Sequence, residues 1–186
     1  THSEYWSKKM FAQIVEANDS GSAILNLSGN SIYREVNLFK DGTLNCCNDL
    51  FEQPYFDESE ITGVRFTNLD QNSYAPFKVV SKSHWIFENT DLKDYFGQSN
   101  VNRNIEDTNF GASGWETDKI VRKRKNEFTL LAKGCNSNGG AEMCISESSR
   151  KGIRFSASSI TFTGSLPVCK VSDIIIKNLL NRILNG

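Results

Sequence analysis

The chain has 186 residues, and its 38% hydrophobic residues, with 12 Phe among its aromatics, suffice for the core of one domain. Its 21 basic and 22 acidic residues leave a formal net charge of −1, so no global field holds a polyanion and we expect no nucleic-acid partner. No apolar run reaches the roughly 20 residues that span a bilayer, so we expect no membrane partner either.

The first element along the chain is a predicted helix at residues 3–20. Ser3 is placed to cap it, Glu4 suits the positive end of the helix dipole, and Gly21 can end it. Because the helix begins where the chain begins, the sequence predicts an α/β layer that is N-terminally incomplete.

A short strand follows at residues 23–27, and a Ser-Gly-Asn turn that tolerates positive φ ends it. Residues 34–39 predict the next strand. In α/β sheets, ligands bind in the crevice beyond the carboxyl ends of the strands, so Asn30 and Tyr33 are expected in that crevice.

The middle of the chain, from about residue 60 to 135, changes in character. Short β-rich runs alternate there with turns rich in Asn, Asp and Gly. The predicted strands are residues 61–66, 77–81, 85–87, 119–124 and 127–132. We interpret this region as an antiparallel β-rich insertion in a single domain, 1–186, whose α/β layer comprises residues 1–45 and 150–186.

The last part of the chain returns to the α/β pattern. Residues 153–157 and 160–163 predict strands, and Ser172 is placed to cap a final helix. That helix carries a wide apolar stripe, which predicts a core-facing surface. The stripe consists of Ile174, Ile175, Ile176, Leu179, Leu180, Ile183 and Leu184.

The residue inventory excludes several chemistries. Only two histidines are present, so no site built on several imidazoles is possible, and neither a Gly-x-Ser-x-Gly elbow nor a His-Glu-x-x-His motif occurs. A Cys-His site, with a thiol-dependent transferase as its function, stays an alternative. Five cysteines without framework spacing favour reduced thiols, which leaves the compartment open with the cytoplasm favoured, although Cys135 and Cys144 could bridge in an oxidising compartment.

Three clusters join polar or ionisable groups with aromatics at predicted loops or element ends. They are residues 2–6 (HSEYW), 29–33 (GNSIY) and 114–118 (GWETD). Phenolate and carboxylate oxygens are hard donors that suit ferric iron. The structural alternative is that the tyrosines are half-buried aromatics with hydrogen-bonded hydroxyls and that Glu116 is a strand-end carboxylate.

Seven segments, in order and over nearly the whole chain, resemble the C-terminal domain of the N,N-dimethylformamidase large subunit. They are residues 2–7, 28–33, 62–67, 84–85 with Thr90, 114–118, 139–143 and 155–166. The resemblance implies a scaffold similar to class I glutamine amidotransferases, a flavodoxin-like layer with a β insertion but without the amidotransferase cysteine. It also implies a strand before residue 2, so we expect a second chain or an upstream segment to complete the sheet.

The resemblance further implies a mononuclear iron held by two tyrosines and a glutamate. The matching positions are Tyr5, Tyr33 and Glu116, whereas the family's histidine near the glutamate is replaced here by Gly114. Such an iron would polarise an amide carbonyl and acidify a water. The proton for the departing amine would pass through Glu4, His2 or His84, and the substrate would contact Asn30 and Trp115.

The function predicted in this way is a metal-dependent hydrolase of a non-peptide carbon–nitrogen bond in a small linear amide. The alternative is a non-catalytic domain whose aromatics form a binding surface for a small molecule, a glycan or a protein. Those aromatics are Trp85, Tyr95, Phe96 and Trp115. For His84 the structural alternative is an imidazole hydrogen-bonded beside Trp85.

Overall fold

A computed structural model of the chain describes residues 3–46, 57–68, 70, 73–99, 110–148 and 151–185. It shows a mixed α/β arrangement with several small sheets, one larger sheet and few helices. The helices are α1 (Lys8–Asp19), α2 (Ser59–Thr62), α3 (Phe162–Ser165) and α4 (Lys170–Asn185), with 3₁₀ turns at Trp85–Phe87 and Arg122–Arg124. No helix in the described ranges combines the length and the apolar character that crossing a membrane requires.

The strands are short. In chain order they are β1 (Tyr5–Trp6), β2 (Ile24–Asn26), β3 (Arg34–Leu38), β4 (Leu44–Cys46), β5 (Val64–Asn68), β6 (Tyr74–Ala75), β7 (Phe77–Val79), β8 (Tyr95–Phe96), β9 (Gln98–Ser99), β10 (Phe110–Gly111), β11 (Ser113–Gly114), β12 (Thr117–Ile120), β13 (Thr129–Gly134), β14 (Glu142–Ser146) and β15 (Arg154–Ser156).

The largest sheet has six strands in the order β2-β15-β14-β13-β7-β8. β2 and β15 are parallel, and every other neighbouring pair is antiparallel. Strands from the predicted α/β layer and from the predicted insertion are therefore hydrogen-bonded within one sheet. The amidotransferase-like layer and the limits of the insertion stay predictions.

The main core lies on this sheet. Its fully buried side chains include Phe77, Leu131, Met143, Phe155 and Phe162. On β14, Met143, Cys144 and Ile145 are all buried, because the strand lies in the middle of the sheet. β14 was not predicted from the sequence, since a strand covered on both faces shows no alternation of apolar and polar residues.

α4 packs against this core through Ile175 and Leu179, which are fully buried. The predicted apolar stripe is too wide, because Leu180 and Leu184 lie on the outer face and Leu184 is 78% exposed. The predicted cap is also wrong. α4 begins at Lys170, and the hydroxyl of Ser172 is buried inside its first turn, where it accepts a hydrogen bond from Ser165 Oγ at 2.9 Å.

The N-terminal helix begins later than predicted. The cap is Ser7, whose Oγ accepts a hydrogen bond from Met10 N at 3.2 Å, and not Ser3. Residues 5 and 6 form β1 because they pair in parallel with β3, in a three-stranded sheet of order β1-β3-β4. A second core forms between α1 and this sheet from Phe11, Ile32 and Ile61, with Trp6, Ile14, Val15 and Ile24 packed against it.

Two predicted strands are helical turns. Trp85–Phe87 is a 3₁₀ turn, because His84 Nδ1 accepts a hydrogen bond from Ile86 N at 3.3 Å and so fixes the bend. Residues 160 and 161 form a turn, and residues 162 and 163 are the first two residues of α3. In both places a short apolar run is buried in a turn, and periodicity alone does not distinguish that arrangement from a strand.

Candidate active site

The candidate site lies where two parallel strands end. β2 and β15 run in parallel, so the loops that follow them meet at the same edge of the sheet. Residues 114–118 lie against both loops. Ile160 N donates to Glu116 O at 3.3 Å, and a Cβ added at Gly29 would lie 2.2 Å from the same oxygen. We call residues 28–33, 114–118 and 157–160 together the junction.

Asp118 fastens the junction from the inside. Asn30 N donates to Asp118 Oδ1 at 2.8 Å, and Asp118 N donates to Ser158 O at 3.0 Å. Asp118 thereby connects the loop after β2 to the loop after β15. The predicted clusters at residues 29–33 and 114–118 are thus in direct contact.

The third predicted cluster joins the junction through β1. Ile32 N donates to Ser3 O at 2.8 Å, and Glu4 O accepts hydrogen bonds from Tyr33 N at 2.9 Å and Arg34 N at 2.8 Å. The backbone of residues 3–5 therefore runs beside Tyr33. The structure brings together all three segments that the sequence analysis singled out, although they are separated by up to about a hundred residues in the chain.

The backbone at the junction is strained. Within the described part of the chain, six non-glycine residues have positive φ. Four of the six are junction residues, namely Asn30 (φ 49°), Ile32 (57°), Trp115 (67°) and Ser158 (62°). Positive φ is an outlier for a β-branched residue such as Ile32, and such strain concentrates at functional sites. β12 also carries a register shift between Thr117 and Asp118, at the same place.

Two junction residues with carboxyl groups, Glu116 and Asp118, are buried. Asp118 is 2% exposed, and its burial raises its pKa well above the ordinary value. The hydrogen bond from Asn30 N opposes this rise, whereas the nearby charges of Glu58 and Glu116 add to it. The sequence analysis left Asp118 without a role. Its spacing of two residues from Glu116 was the available signal.

Tyr33 contacts the strand that pairs with β12. Its ring meets the ring of Phe66 edge-on, with centroids 5.4 Å apart. Phe66 is the strand partner of Asp118 in the β5–β12 pair. Tyr33 is therefore placed on the side of the junction where Asp118 lies.

Two further predicted site residues are partly exposed. Tyr5 stands opposite Arg34 in the β1–β3 register and is 47% exposed. Trp115 is 41% exposed, and its ring lies 6.3 Å from the ring of Tyr74, centroid to centroid. Both aromatic side chains are therefore accessible to solvent.

The predicted oxygen donors are chemically suited to iron, and they lie on neighbouring segments. Tyr33 and Glu116 lie on segments that touch, and Tyr5 lies on the neighbouring strand. Among the residues that the structure describes, no group of three or more His, Cys, Asp or Glu side chains is arranged to hold a metal ion. A ligand set with two tyrosines contains only one carboxylate, so iron binding stays a prediction.

The structure explains why glycine occupies position 114. A Cβ at Gly114 would lie 2.1 Å from Ser73 O, because β11 runs close to the start of β6. No side chain fits at this position, so the histidine that the resemblance places here has no room. Any proton transfer in this protein has to use another group.

His84 is not brought to the junction. Its Nε2 lies 3.1 Å from Glu147 Oε2, and Trp85 Nε1 donates to Glu147 Oε1 at 2.8 Å. Glu147 follows the far end of β14, whose first residue, Glu142, accepts a hydrogen bond from Ser158 Oγ at its carbonyl oxygen. Five strand residues at about 3.4 Å each separate the two ends by roughly 17 Å.

The other proposed proton carriers have different outcomes. Glu4 is not a helix-start carboxylate, since it precedes β1, and its Oε1 forms an ion pair with Arg34 Nε at 2.8 Å. His2 lies outside the described residues. Glu4 is thus the proposed proton carrier that the structure places beside Tyr33.

The predicted aromatic binding surface is not continuous. Phe96 is buried in the main core, where it stacks on Phe77 with centroids 5.4 Å apart. Tyr95 is exposed. Trp85 is half-buried beside His84, at the end of the main sheet opposite the junction, which we call the far edge. The prediction that Phe96 presents a surface to ligands is therefore wrong, because the strand alternation of β8 turns it inward.

The cysteines in the described ranges are free thiols. Cys144 lies in the middle of the main sheet, and burial raises the pKa of its thiol, which disfavours the reactive thiolate. Cys135 is exposed at the end of β13 and forms no bridge with Cys144. Cys47 lies outside the described residues.

One family model matches most of the chain. The family described as N,N-dimethylformamidase beta subunit-like, C-terminal, matches residues 1–174. The match includes the whole junction and ends within α4. No curated protein matches the chain at a significant level.

Proposed function

The chain belongs to the N,N-dimethylformamidase beta subunit-like C-terminal family, and from this premise we propose that the junction hydrolyses the carbon–nitrogen bond of a small linear amide. The observation that supports the proposal is the contact between the segments that carry Tyr33, Glu116 and Asp118, on strained loops at the carboxyl ends of a parallel strand pair. The family description names an amidase, and amide hydrolysis is therefore the reaction assigned to this site.

Asn30 is the residue that would orient the substrate. It is buried, and its Oδ1 has no hydrogen-bond partner in the part of the chain that the structure describes. An unsatisfied buried acceptor costs about 1–3 kcal/mol, which the N–H of a primary or secondary amide would recover on binding. Its backbone N–H donates to Asp118, so the backbone of this residue is held in position before the substrate arrives.

Tyr5, Tyr33 and Glu116 would hold the iron. When bound, the metal supplies a polarised substrate carbonyl and an acidified water. Glu4 would pass the proton to the departing amine, since its backbone is bonded to Tyr33 and its carboxylate is fixed by Arg34. Trp115 would cover the site from the solvent side.

A second chain is part of the proposal. The family description contains the words "beta subunit", which supports the expectation that another polypeptide adjoins this one. Among the described strands, β1 pairs only with β3, so its other edge is available to a strand from that partner.

The test is the release of amine or ammonia from formamide, acetamide and N,N-dimethylformamide by iron-loaded protein. Glu116→Gln and Tyr33→Phe are expected to lower the rate by at least about a hundredfold, because each removes an oxygen donor without changing the shape of the side chain. The matched control is Glu147→Gln at the far edge of the sheet, which should leave the rate within about twofold.

The proposal also predicts a spectroscopic signature. Iron-loaded protein should show visible absorption from tyrosinate ligation, and Tyr33→Phe should weaken that absorption. Turnover that is unchanged in both Glu116→Gln and Tyr33→Phe would reject the assignment of the junction. Binding of the amides without any turnover would instead favour the non-catalytic binding domain.

A further inference from the structure

A separate cavity lies behind the loop that forms the junction. It has a volume of about 420 Å³ and is enclosed by α1, β1, β2, α2 and residues 28–32. Its wall is mostly apolar and includes Trp6, Ile14, Leu25, Leu27, Ile32 and Ile61. Cavities of this size and character bury small organic ligands.

Among the residues that the structure describes, none with a charged side chain lines this cavity. A charged ligand would lose its hydration there without gaining a counter-charge, and that loss is costly. The lining therefore selects a neutral molecule.

The hydroxyl groups on the wall are already committed as donors. Ser28 Oγ donates to Gly29 O, Ser31 Oγ to Asn26 Oδ1, and Thr163 Oγ1 to Ile160 O. Thr62 Oγ1 lies 2.9 Å from both Glu58 O and Val64 O. The remaining hydroxyl on the wall is that of Ser3, which is exposed and stands at the rim.

Asn26 is the exception on this wall. Its Oδ1 accepts hydrogen bonds from Ser28 N at 3.3 Å and from Ser31 Oγ at 2.9 Å, which fixes the orientation of the amide. Its Nδ2 is buried, with no hydrogen-bond partner in the described ranges. A buried donor without a partner is costly, and a ligand that brings one acceptor removes that cost.

We propose that this cavity binds a neutral aliphatic molecule with a single carbonyl group, whose oxygen accepts a hydrogen bond from Asn26 Nδ2. A water molecule takes about 30 Å³ of liquid volume, so the cavity holds roughly a dozen non-hydrogen atoms. The cavity is lined by Ser28, Ser31 and Ile32 of the junction, but among the described residues that line it there is no Tyr33, Glu116 or Asp118. The inference does not depend on amide hydrolysis.

The probes are 2-butanone, 2-pentanone, 2-hexanone and 2-heptanone, which contain no bond that an amidase cleaves. Their dissociation constants are measured by calorimetric titration of the folded protein. Each added methylene should tighten binding about threefold to fourfold while the chain is still being buried. Asn26→Asp keeps the Oδ1 acceptor for Ser28 and Ser31 but removes the donor, and it should weaken 2-heptanone binding at least about tenfold.

Asn181→Asp is the matched control. It makes the same substitution on the exposed side of α4, away from the cavity, and should leave 2-heptanone binding unchanged. If Asn26→Asp does not fold, Ile14→Trp provides the second variant. Ile14 is half-buried on α1, and the larger side chain should occupy the cavity and abolish binding.

Two results would overturn the proposal. The first is the absence of ketone binding to a protein with normal thermal unfolding, which would show that the cavity holds only water. The second is binding that is equally strong for all four ketones and unaffected by both Asn26→Asp and Ile14→Trp. A protein that binds the ketones but does not hydrolyse the amides would contradict the proposed function and leave the cavity proposal intact.

Discussion

The junction and the far edge of the main sheet both hold carboxylates and aromatics, yet they are built differently. At the far edge, each group has its partner: both oxygens of Glu147 are engaged, by Trp85 and by His84, and the other nitrogen of His84 fixes a turn. At the junction, carboxyl groups lie close to each other and Asn30 keeps an unsatisfied oxygen.

The backbone differs in the same direction. Four residues with positive φ lie at the junction. Near the turn at Trp85–Phe87, Asn89 is the one described non-glycine residue with positive φ. Satisfied groups on relaxed backbone stabilise a fold, and unsatisfied groups on strained backbone are kept where a ligand completes them. The comparison therefore favours a structural role for the imidazole of His84, although histidine is the more familiar catalytic residue.

The largest expected effect tests the close contact between Gly29 and the backbone of Glu116. Gly29→Ala places a methyl group 2.2 Å from Glu116 O, which is backbone and cannot turn away. We expect the free energy of unfolding to fall by about 3 kcal/mol, as for an overpacked core position, and amide turnover to be lost. Urea denaturation measures the first effect.

Gly164→Ala is the control for this change. A Cβ at Gly164 in α3 meets nothing within 4 Å, so stability should stay within about 0.5 kcal/mol of the unchanged protein. Equal effects of the two alanines would mean that the loops at the junction are not in the close contact described here.

The second prediction separates stability from activity at the far edge. Glu147→Gln replaces the carboxylate that joins His84 to Trp85, and we expect the free energy of unfolding to fall by about 1 kcal/mol. Amide turnover should be unchanged. Turnover that falls with the loss of Glu147 would instead give His84 a catalytic role.

The third prediction is a substitution that should raise the free energy of unfolding while it lowers turnover. Asn30→Gly relieves a positive φ and removes a buried unsatisfied oxygen, so the free energy of unfolding should rise by about 1 kcal/mol while turnover falls about tenfold. Asn89→Gly relieves a similar φ at an exposed residue and should change turnover little. A variant at position 30 that loses both stability and turnover would contradict the idea that strain there serves the site.

The smallest effect concerns two adjacent acids outside the junction. Burial alone would raise the pKa of Asp57, but hydrogen bonds from Lys123 and Ser59 and the charges of Lys123 and Arg65 lower it to about 2. Burial raises the pKa of Glu58, against the opposing hydrogen bond and charge of Arg65. The same guanidinium therefore faces one acid with a lowered pKa and one with a raised pKa.

The two acids should affect the pH dependence of stability with opposite signs. The contribution of Asp57 is present above about pH 4 and is lost as the pH falls toward 2, whereas that of Glu58 favours the folded state at low pH and is lost as the pH rises above 4.5. Unfolding curves of Asp57→Asn and Glu58→Gln from pH 2 to 7 measure the two slopes. Because Asp57 is partly exposed, we expect no more than about 1 kcal/mol from it. Slopes of the same sign would contradict these pKa directions.

Part of the fold was predictable from residue pattern. β2, β3, β7, β13 and β15 lie where apolar runs end at turn residues, and α4 lies where a helical apolar stripe follows Pro167. The failures have local causes. β1 forms only because β3 lies beside it, and the turn at Trp85–Phe87 forms because His84 accepts a hydrogen bond that no periodicity reveals.

For the site, the sequence by itself determined the family and the three segments that carry oxygen donors and aromatics, because residue types and their order are written in the chain. Only the tertiary structure decided which of those residues share a site. It placed Asp118 at the centre of the junction and Glu4 beside Tyr33, left no room for a side chain at position 114, and put His84 at the other end of a strand. The physical reason is strand direction. Parallel β2 and β15 bring their distant loops to one edge of the sheet, and antiparallel β14 carries its last residues to the opposite edge.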